Sequence, residues 1–256
     1  MAYYGILYKI KSFFGVMAIF KNWPVYLSFR FNLLDRSKER DYFLRNGLII
    51  SAANTEPWGI KGVFVDKEYT SKIKILDNYT VIDIGANIGA FSLFAANSAD
   101  NVKVYSYEPA PETFSKLIEN IKANNLEKEI KAFQLGIASK KEKRKIYLDP
   151  ESSMANSLSL ESNHQKNIEI DTISLRDIFL ENNIGECDFL KVDAEGSEQE
   201  IFFSTSSEYL HKIKNIAIEY DGEYEKLEKY LKENGFTTKI MPKTKSMGLL
   251  FATLNR

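Results

Sequence analysis

The segment Val81-Ile82-Asp83-Ile84-Gly85-Ala86-Asn87-Ile88-Gly89 constrains the fold of this chain more than any other. A short apolar run ends in Asp, a Gly-x-x-x-Gly turn follows, and Ala90 to Ala96 has helical character. The change of period across Gly and Asn punctuation marks a strand, a tight turn and a helix. Such a turn lets a ligand lie against bare backbone at a helix N-terminus, because Gly tolerates the φ required and has no Cβ to block the approach. A dinucleotide fingerprint needs Gly-x-Gly-x-x-Gly and a phosphate loop needs Gly-Lys-Ser/Thr; neither is present, so an anionic pyrophosphate fits poorly. Asp83, just before the glycines, suits a cationic or hydroxyl-bearing ligand. A purely structural turn explains this segment equally well until other motifs are added.

Two further strand ends carry acids. Val102 to Tyr107 reads as a strand and runs into Glu108-Pro109. In doubly wound nucleotide folds an acid at the end of the second strand accepts hydrogen bonds from ribose hydroxyls. Phe189 to Val192 runs into Asp193-Ala194-Glu195-Gly196-Ser197-Glu198. Ligands of open parallel sheets bind outside the carboxyl ends of the strands, so Asp83, Glu108, Asp193 and Glu195 are expected to form an acidic rim there. Glu198 is expected only to favour a helix N-terminus electrostatically.

These residues resemble an FkbM-type methyltransferase, a family of S-adenosylmethionine-dependent O-methyltransferases. The likeness rests on Asp83-Ile84-Gly85-Ala86-Asn87-Ile88-Gly89, Tyr107-Glu108-Pro109 and Leu190-Lys191-Val192-Asp193-Ala194-Glu195-Gly196. The last of the three is the specific one, and the likeness covers the chain from about residue 60 to 253. It implies an α/β, doubly wound, Rossmann-like methyltransferase sheet of about seven strands, the last antiparallel. It also implies S-adenosylmethionine as cofactor. Gly85, Ala86, Asn87 and Gly89 would border its amino acid portion, with Asp83 placed to receive the ammonium directly or through water. Glu108 and Pro109 would take the ribose. Gly136, Ile137 and Ala138, after the third strand, would border the adenine by position. Asp193 and Glu195 are the candidates for accepting the acceptor's proton. Lys191 lies two residues before Asp193, hence on the same side of the strand, either as part of the catalytic group or as a salt-bridge partner of a neighbouring acid. The two acids could instead hold Mg²⁺ or Mn²⁺, but no separate ligand cluster is visible and a metal-free base is expected.

With 256 residues the chain can hold one catalytic domain and an extension. Net charge is −1, so no basic excess argues for nucleic acid. Cys187 is the single cysteine, which excludes an intrachain disulfide and favours a reducing, cytoplasmic setting. It precedes an apolar strand and reads as a small buried residue. One Cys with His164 and His211 cannot make a structural zinc site. Residues 1–55 are expected to be a helical extension and 56–256 the catalytic domain. The extension is rich in aromatics, but its longest uncharged run, Ser12 to Phe20, is too short to span a bilayer. It is expected to pack on the catalytic domain or on a second copy; a peripheral membrane anchor, flanked by Lys9, Lys11 and Lys21, is the alternative.

Along the chain, residues 35–50 read as a helix ending at Asn46-Gly47, and Ile60 to Tyr69 as a strand. Strands and helices then alternate from Thr80, implying a parallel sheet. Strands are expected at Thr80–Ile84, Val102–Tyr107, Ile130–Leu135, Asp188–Asp193 and Ile213–Glu219. Helices are expected at 88–98, 111–124, 173–182, 197–203 and 222–234. Phe236–Met241 and Gly248–Leu254 read as a closing antiparallel hairpin. Ile146-Tyr147-Leu148 and Ile168-Glu169-Ile170 read as an inserted hairpin around a long loop, 149–167, that carries His164, an outside candidate for a base. The functional expectation is methylation of a sugar hydroxyl in a glycan, glycolipid or natural product. The alternatives are a non-catalytic scaffold of the same fold and, more weakly, an RNA methyltransferase.

Overall fold

The computed structural model describes residues 6–53, 55–148, 166–244 and 246–255. The first two helices are α1 (Ile6–Ile19) and α2 (Trp23–Arg30), the second started by Pro24. They are followed by an antiparallel hairpin, β1 (Arg40–Phe43) and β2 (Ile49–Ala52). This corrects the helix expected over 35–50. Asn46-Gly47 is the hairpin turn, with Gly47 at φ +98°; Asn-Gly punctuation serves a hairpin as readily as a helix end. Tyr42 and Leu44 are buried while Phe43 between them is exposed, a period of two. From a later part of the chain, Asn120 and Asn124 bond to backbone N–H and C=O of Ser51 and Ile49, which ties the hairpin to the core.

The strand expected over Ile60–Tyr69 is also corrected. The chain forms α3 (Glu56–Lys61), which continues as a π-helical turn over Gly62–Asp66. Pro57 suits a helix start, and Ile60, Val63 and Phe64 lie at i, i+3 and i+4 and are all buried.

The doubly wound unit then begins with β3 (Thr80–Ile84), α4 (Ala90–Ala96), β4 (Lys103–Tyr107), α5 (Pro111–Ala123) and β5 (Ile130–Phe133). A side sheet of β6 (Gly136–Ala138), β7 (Glu142–Leu148) and β8 (Lys166–Ser174) interrupts it. The antiparallel β7–β8 pair is the expected inserted hairpin; His164 and residues 149–165 lie outside the described residues. The alternation resumes with α6 (Leu175–Glu181), β9 (Phe189–Val192), α7 (Glu198–Phe203), α8 (Ser207–Leu210), β10 (Asn215–Asp221) and α9 (Glu225–Glu233). It closes with β11 (Phe236–Pro242) and β12 (Met247–Leu254).

The main sheet has seven strands in the order β11-β12-β10-β9-β3-β4-β5. β12, the last strand, runs antiparallel to both β10 and β11, while β5, β4, β3, β9 and β10 are mutually parallel. Successive strand residues enter opposite apolar layers. Val81, Val104 and Phe189 join a layer with α4, α5 and residues of α1 to α3, whereas Ile82, Tyr105 and Leu190 join one with α6 to α9. Helices therefore cover both faces, as a parallel sheet requires. Val16, Phe20, Tyr26 and Phe29 belong to the first layer, so the N-terminal helices share the core of the sheet.

Candidate active site

A cavity of about 690 Å³ opens where β3, β4, β9 and β10 end. Strand order reverses between β3 and β9, and doubly wound sheets bind ligands at that crevice. The volume is that of a small-molecule site.

The glycine turn forms one wall. Gly85 N–H and Ala86 N–H both donate to the Tyr107 carbonyl at 3.0 Å, which fixes the turn to β4. Gly85, Asn87 and Gly89 have φ of +71°, +50° and +91°, and these left-handed residues fold the chain into α4. Asn pays little for that region, and its Oδ1 accepts from Ile88 N–H at 2.7 Å. At the end of β4, Glu108 is buried but borders the cavity. Its Oε2 accepts Asn87 N–H and its Oε1 accepts Ala110 N–H, each at 2.9 Å. Burial pushes its pKa up to about 7 against the pull of those two donors. Each carboxylate oxygen has a further lone pair, so a vicinal diol can still be accepted.

Of the cofactor-site candidates, Gly85, Ala86, Asn87, Glu108, Pro109, Gly136 and Ile137 line the cavity; Asp83, Gly89 and Ala138 do not. Ala138 is wholly buried in β6. A Cβ on Gly89 would lie 2.6 Å from a Leu117 methyl, so this glycine serves the turn and the packing of α5. Asp83 is fully buried. It is the register partner of Lys191 on the adjacent parallel strand, and both side chains rise from the same face. Lys191 Nζ lies 3.1 Å from Asp83 Oδ1, and Ser92 Oγ donates to Asp83 Oδ2 at 2.6 Å. Any effect of Asp83 on a ligand therefore passes through Lys191.

Lys191 is buried and lines the cavity. Its ammonium also donates to the Ile84 and Gly85 carbonyls at 3.1 and 2.5 Å and lies 3.6 Å from Asp193 Oδ2. Burial would lower its pKa, but the Asp83 and Asp193 charges outweigh that and raise it. The lysine is a fixed cation that joins the turn to β9.

Beyond β9 the chain turns sharply, with Glu195 and Gly196 at φ +48° and +102°. Buried Glu198 holds this loop, accepting from Ala194 N–H at 2.9 Å and Gly196 N–H at 3.1 and 3.2 Å. Its role is thus structural hydrogen bonding as well as a charge at a helix start. Asp193 and Glu195 both line the cavity. Glu195 faces solvent at the rim, yet the desolvating wall and the Asp193 and Glu219 charges raise its pKa.

Sequence reasoning missed four residues of this end. The Tyr69 hydroxyl lies 2.9 Å from Asp193 Oδ2 and 2.9 Å from Glu219 Oε2. Lys243 Nζ donates to Glu219 Oε1 at 2.9 Å and Glu68 Oε2 at 3.1 Å. Glu219 was reachable, since it ends the strand expected over Ile213–Glu219. Tyr69, Glu68 and Lys243 lie on connecting segments with no local signal. Among the described residues no group of three or more His, Cys, Asp or Glu is arranged to hold a metal ion.

Known proteins are similar to this chain in sequence and in fold. The chain is 25% identical over 208 residues to methyltransferase sdnD of Sordaria araneosa, covering 69% of this chain and 80% of that protein. It is 22% identical over 229 residues to 31-O-demethyl-FK506 methyltransferase FkbM of Streptomyces tacrolimicus, covering 76% and 87%. The crystal structure of methyltransferase FkbM from Methylobacillus flagellatus KT superposes with a TM-score of 0.50 at 15% identity, over 77% of this chain and 53% of that one, and shows the fold in common. Residues 83–238, more than half of the chain, match the methyltransferase FkbM domain, and the chain belongs to that family of S-adenosylmethionine-dependent methyltransferases.

Proposed function

We propose that this methyltransferase acts on a hydroxyl group, specifically one on a sugar of a glycan, glycolipid or natural product. The observation that carries this reading is the carboxylate-rich end of the cavity, lined by Asp193, Glu195 and Glu219, where Tyr69 meets Asp193 and Glu219. Carboxylates accept hydrogen bonds from hydroxyls and can take a proton from one. The related 31-O-demethyl-FK506 methyltransferase is named for transfer to oxygen, which supports an oxygen acceptor here.

The residues present fit S-adenosylmethionine. Glu108 offers a buried, cavity-facing carboxylate suited to the ribose diol, and Gly136 and Ile137 border the space expected for the adenine. The cofactor supplies a methyl group already activated on a sulfonium. The protein's part is alignment and proton removal. The backbone-pinned turn and Glu108 hold one partner, Asp193 and Glu195 orient the acceptor oxygen, and Asp193 accepts its proton. Lys191 keeps Asp193 in register with the turn.

The test is transfer of label from methyl-labelled S-adenosylmethionine to panels of glycan, small-molecule and RNA acceptors. Labelled ether products on sugar hydroxyls are expected. Transfer to RNA alone, or to amines alone, would overturn the reading.

A separate observation bears on partners. Ile10, Phe13 and Phe14 lie at i, i+3 and i+4 on α1, all exposed, with exposed Lys9 and Lys11 beside them. That is the pattern of a helix lying in an anionic membrane interface. Among the described residues no helix is long and apolar enough to cross a membrane. The reading is peripheral contact that brings a lipid-borne acceptor to the enzyme. Cys187 is wholly buried and burial raises its thiol pKa, so it is an inert core residue; the cytoplasmic reading rests on its being the single cysteine.

A further inference from the structure

Tyr69 presents a counting problem. Its hydroxyl carries one proton, yet it stands at 2.9 Å from a carboxylate oxygen on each side. One proton satisfies one carboxylate. If both were ionised, a phenol lone pair would face a carboxylate oxygen at hydrogen-bond distance with no hydrogen between them. The tyrosine is almost wholly buried, so water does not relieve that contact. The geometry accommodates one further proton.

The rest of the contacts say on which atom it sits. Glu219 Oε1 faces the Lys243 ammonium at 2.9 Å, and an ammonium has only donors, so Oε1 must accept. That leaves Oε2, the atom facing Tyr69. Lys243 is shared with Glu68 at 3.1 Å, so its charge does not belong to Glu219 alone. On the other side a single atom, Asp193 Oδ2, faces both the Tyr69 hydroxyl and, at 3.6 Å, the Lys191 ammonium shared with Asp83, so a proton on that oxygen would sit against a cation, whereas Glu219 meets its cation with the other oxygen. Glu195 adds a third carboxylate to the same end of the cavity. Around Glu219 and Asp193 there are thus two lysines for five acids: Asp83, Glu68, Asp193, Glu195 and Glu219.

We propose that Glu219 carries a proton on Oε2 and donates it to the Tyr69 oxygen, so that Tyr69 donates to Asp193 and holds Asp193 as the ionised base of the site. Burial first, then the Asp193 charge, raise the Glu219 pKa beyond what Lys243 offsets, in agreement with this placement. Burial raises the phenol pKa well above its usual value, so Tyr69 stays protonated and acts only as a bridge. In the reaction, a C–O bond forms at the acceptor oxygen as the methyl–sulfur bond of the donor breaks and S-adenosylhomocysteine leaves; the O–H proton passes to Asp193, and no redox change is involved. Tyr69 and Glu219 are positioning residues, since each acts through Asp193. The inference deepens the assignment of Asp193 as proton acceptor and rests on it.

The proton can be located without any turnover. Protein with ¹³C-labelled Glu and Asp side-chain carboxyls is titrated by NMR, with Glu219 assigned by loss of its signal in Glu219→Gln, or in Glu219→Ala where the amide variant does not fold. Glu219 is expected to titrate above the ordinary Glu range, and to move back toward it in Tyr69→Phe, where the protonated form loses its acceptor. Glu219 titrating in the ordinary range, or unmoved in Tyr69→Phe, would overturn the proposal. So would a titration that places the shared proton on Asp193. Once an acceptor is in hand, Glu219→Gln places an amide N–H where the proton is assigned and an amide oxygen toward Lys243. As a hydrogen-bond mimic it should retain far more of kcat than Asp193→Asn, which should lose most of it. Glu219→Gln as inactive as Asp193→Asn would also overturn it. A lack of hydroxyl methylation with the NMR result intact would instead fault the assigned reaction.

Discussion

A Cβ built on Gly85 would lie 1.8 Å from the carbonyl oxygen of Asp193. The glycine thus exists for the protein's own backbone as much as for a ligand: β3 and β9 end so close together that no side chain fits between them. Asp193 N–H donates to the Ile84 carbonyl at 3.1 Å, which pins that approach. Gly85→Ala must move the Asp193 loop and adopt a positive φ costing about 1–2 kcal/mol. Both a lower melting temperature and at least tenfold weaker S-adenosylmethionine binding are expected, by thermal denaturation and calorimetry. A variant matching wild type in both would refute the steric account.

The Asp83–Lys191 pair should behave as a buried ion pair. Removing one member leaves the other charged and buried, at a cost of about 3–5 kcal/mol. Lys191→Met and Asp83→Asn should each show that loss in urea denaturation. The double variant Asp83→Leu/Lys191→Met should recover much of it. Single variants within about 0.5 kcal/mol of wild type, the range of ordinary surface changes, would show that the pair does not bear on stability.

Cofactor affinity should depend on pH through Glu108. Burial pushes its pKa up to about 7, and ribose hydroxyls donate to the ionised form, so binding lowers that pKa. Below pH 7 affinity should therefore fall, by up to about tenfold per unit, while above pH 7 it should be flat. Glu108→Gln should weaken binding at pH 8 by roughly 1–3 kcal/mol and abolish the slope. A slope that survives in Glu108→Gln would assign it to another group.

Proton removal by a carboxylate and metal-assisted orientation of the acceptor make different predictions. Asp193→Asn and Glu195→Gln should lower turnover in either case. If Asp193 is the base, chelator-treated enzyme keeps its rate. That is the expected result. Chelator-sensitive activity restored by Mg²⁺ or Mn²⁺ would assign the acids to a metal instead.

The exposed stripe of α1 can be tested with vesicles. Wild-type protein should co-sediment with phosphatidylserine-containing vesicles more than with neutral ones, and Phe14→Glu should abolish it without changing the melting temperature. A concentration-dependent dimer disrupted by the same substitution, with no vesicle binding, would make the stripe a self-association surface.

The order of strands and helices, and the acids at the ends of β3, β4 and β9, were legible in the sequence for a local reason. A strand's length and a turn's glycines are set by residues within a few positions of one another, and parallel strands put all their carboxyl ends on one edge. The likeness of Lys191 to Gly196 to the family segment then named the chemistry. Local pattern stopped being enough where two periods fit the same letters. Ile60, Val63, Phe64 and Val65 allow both alternation and helical spacing, and burial against the core chose the helix. Asn46-Gly47 punctuates a helix end or a hairpin, and pairing with Ile49–Ala52 chose the hairpin. Only tertiary structure could turn Asp83 inward, because register on β9 sets Lys191 opposite it. Likewise only the fold brings Tyr69 to Asp193, 124 positions away, and to Glu219, 150 away. Sequence determines which carboxylates reach the edge of the sheet; the packing of distant segments decides which of them share a hydroxyl partner.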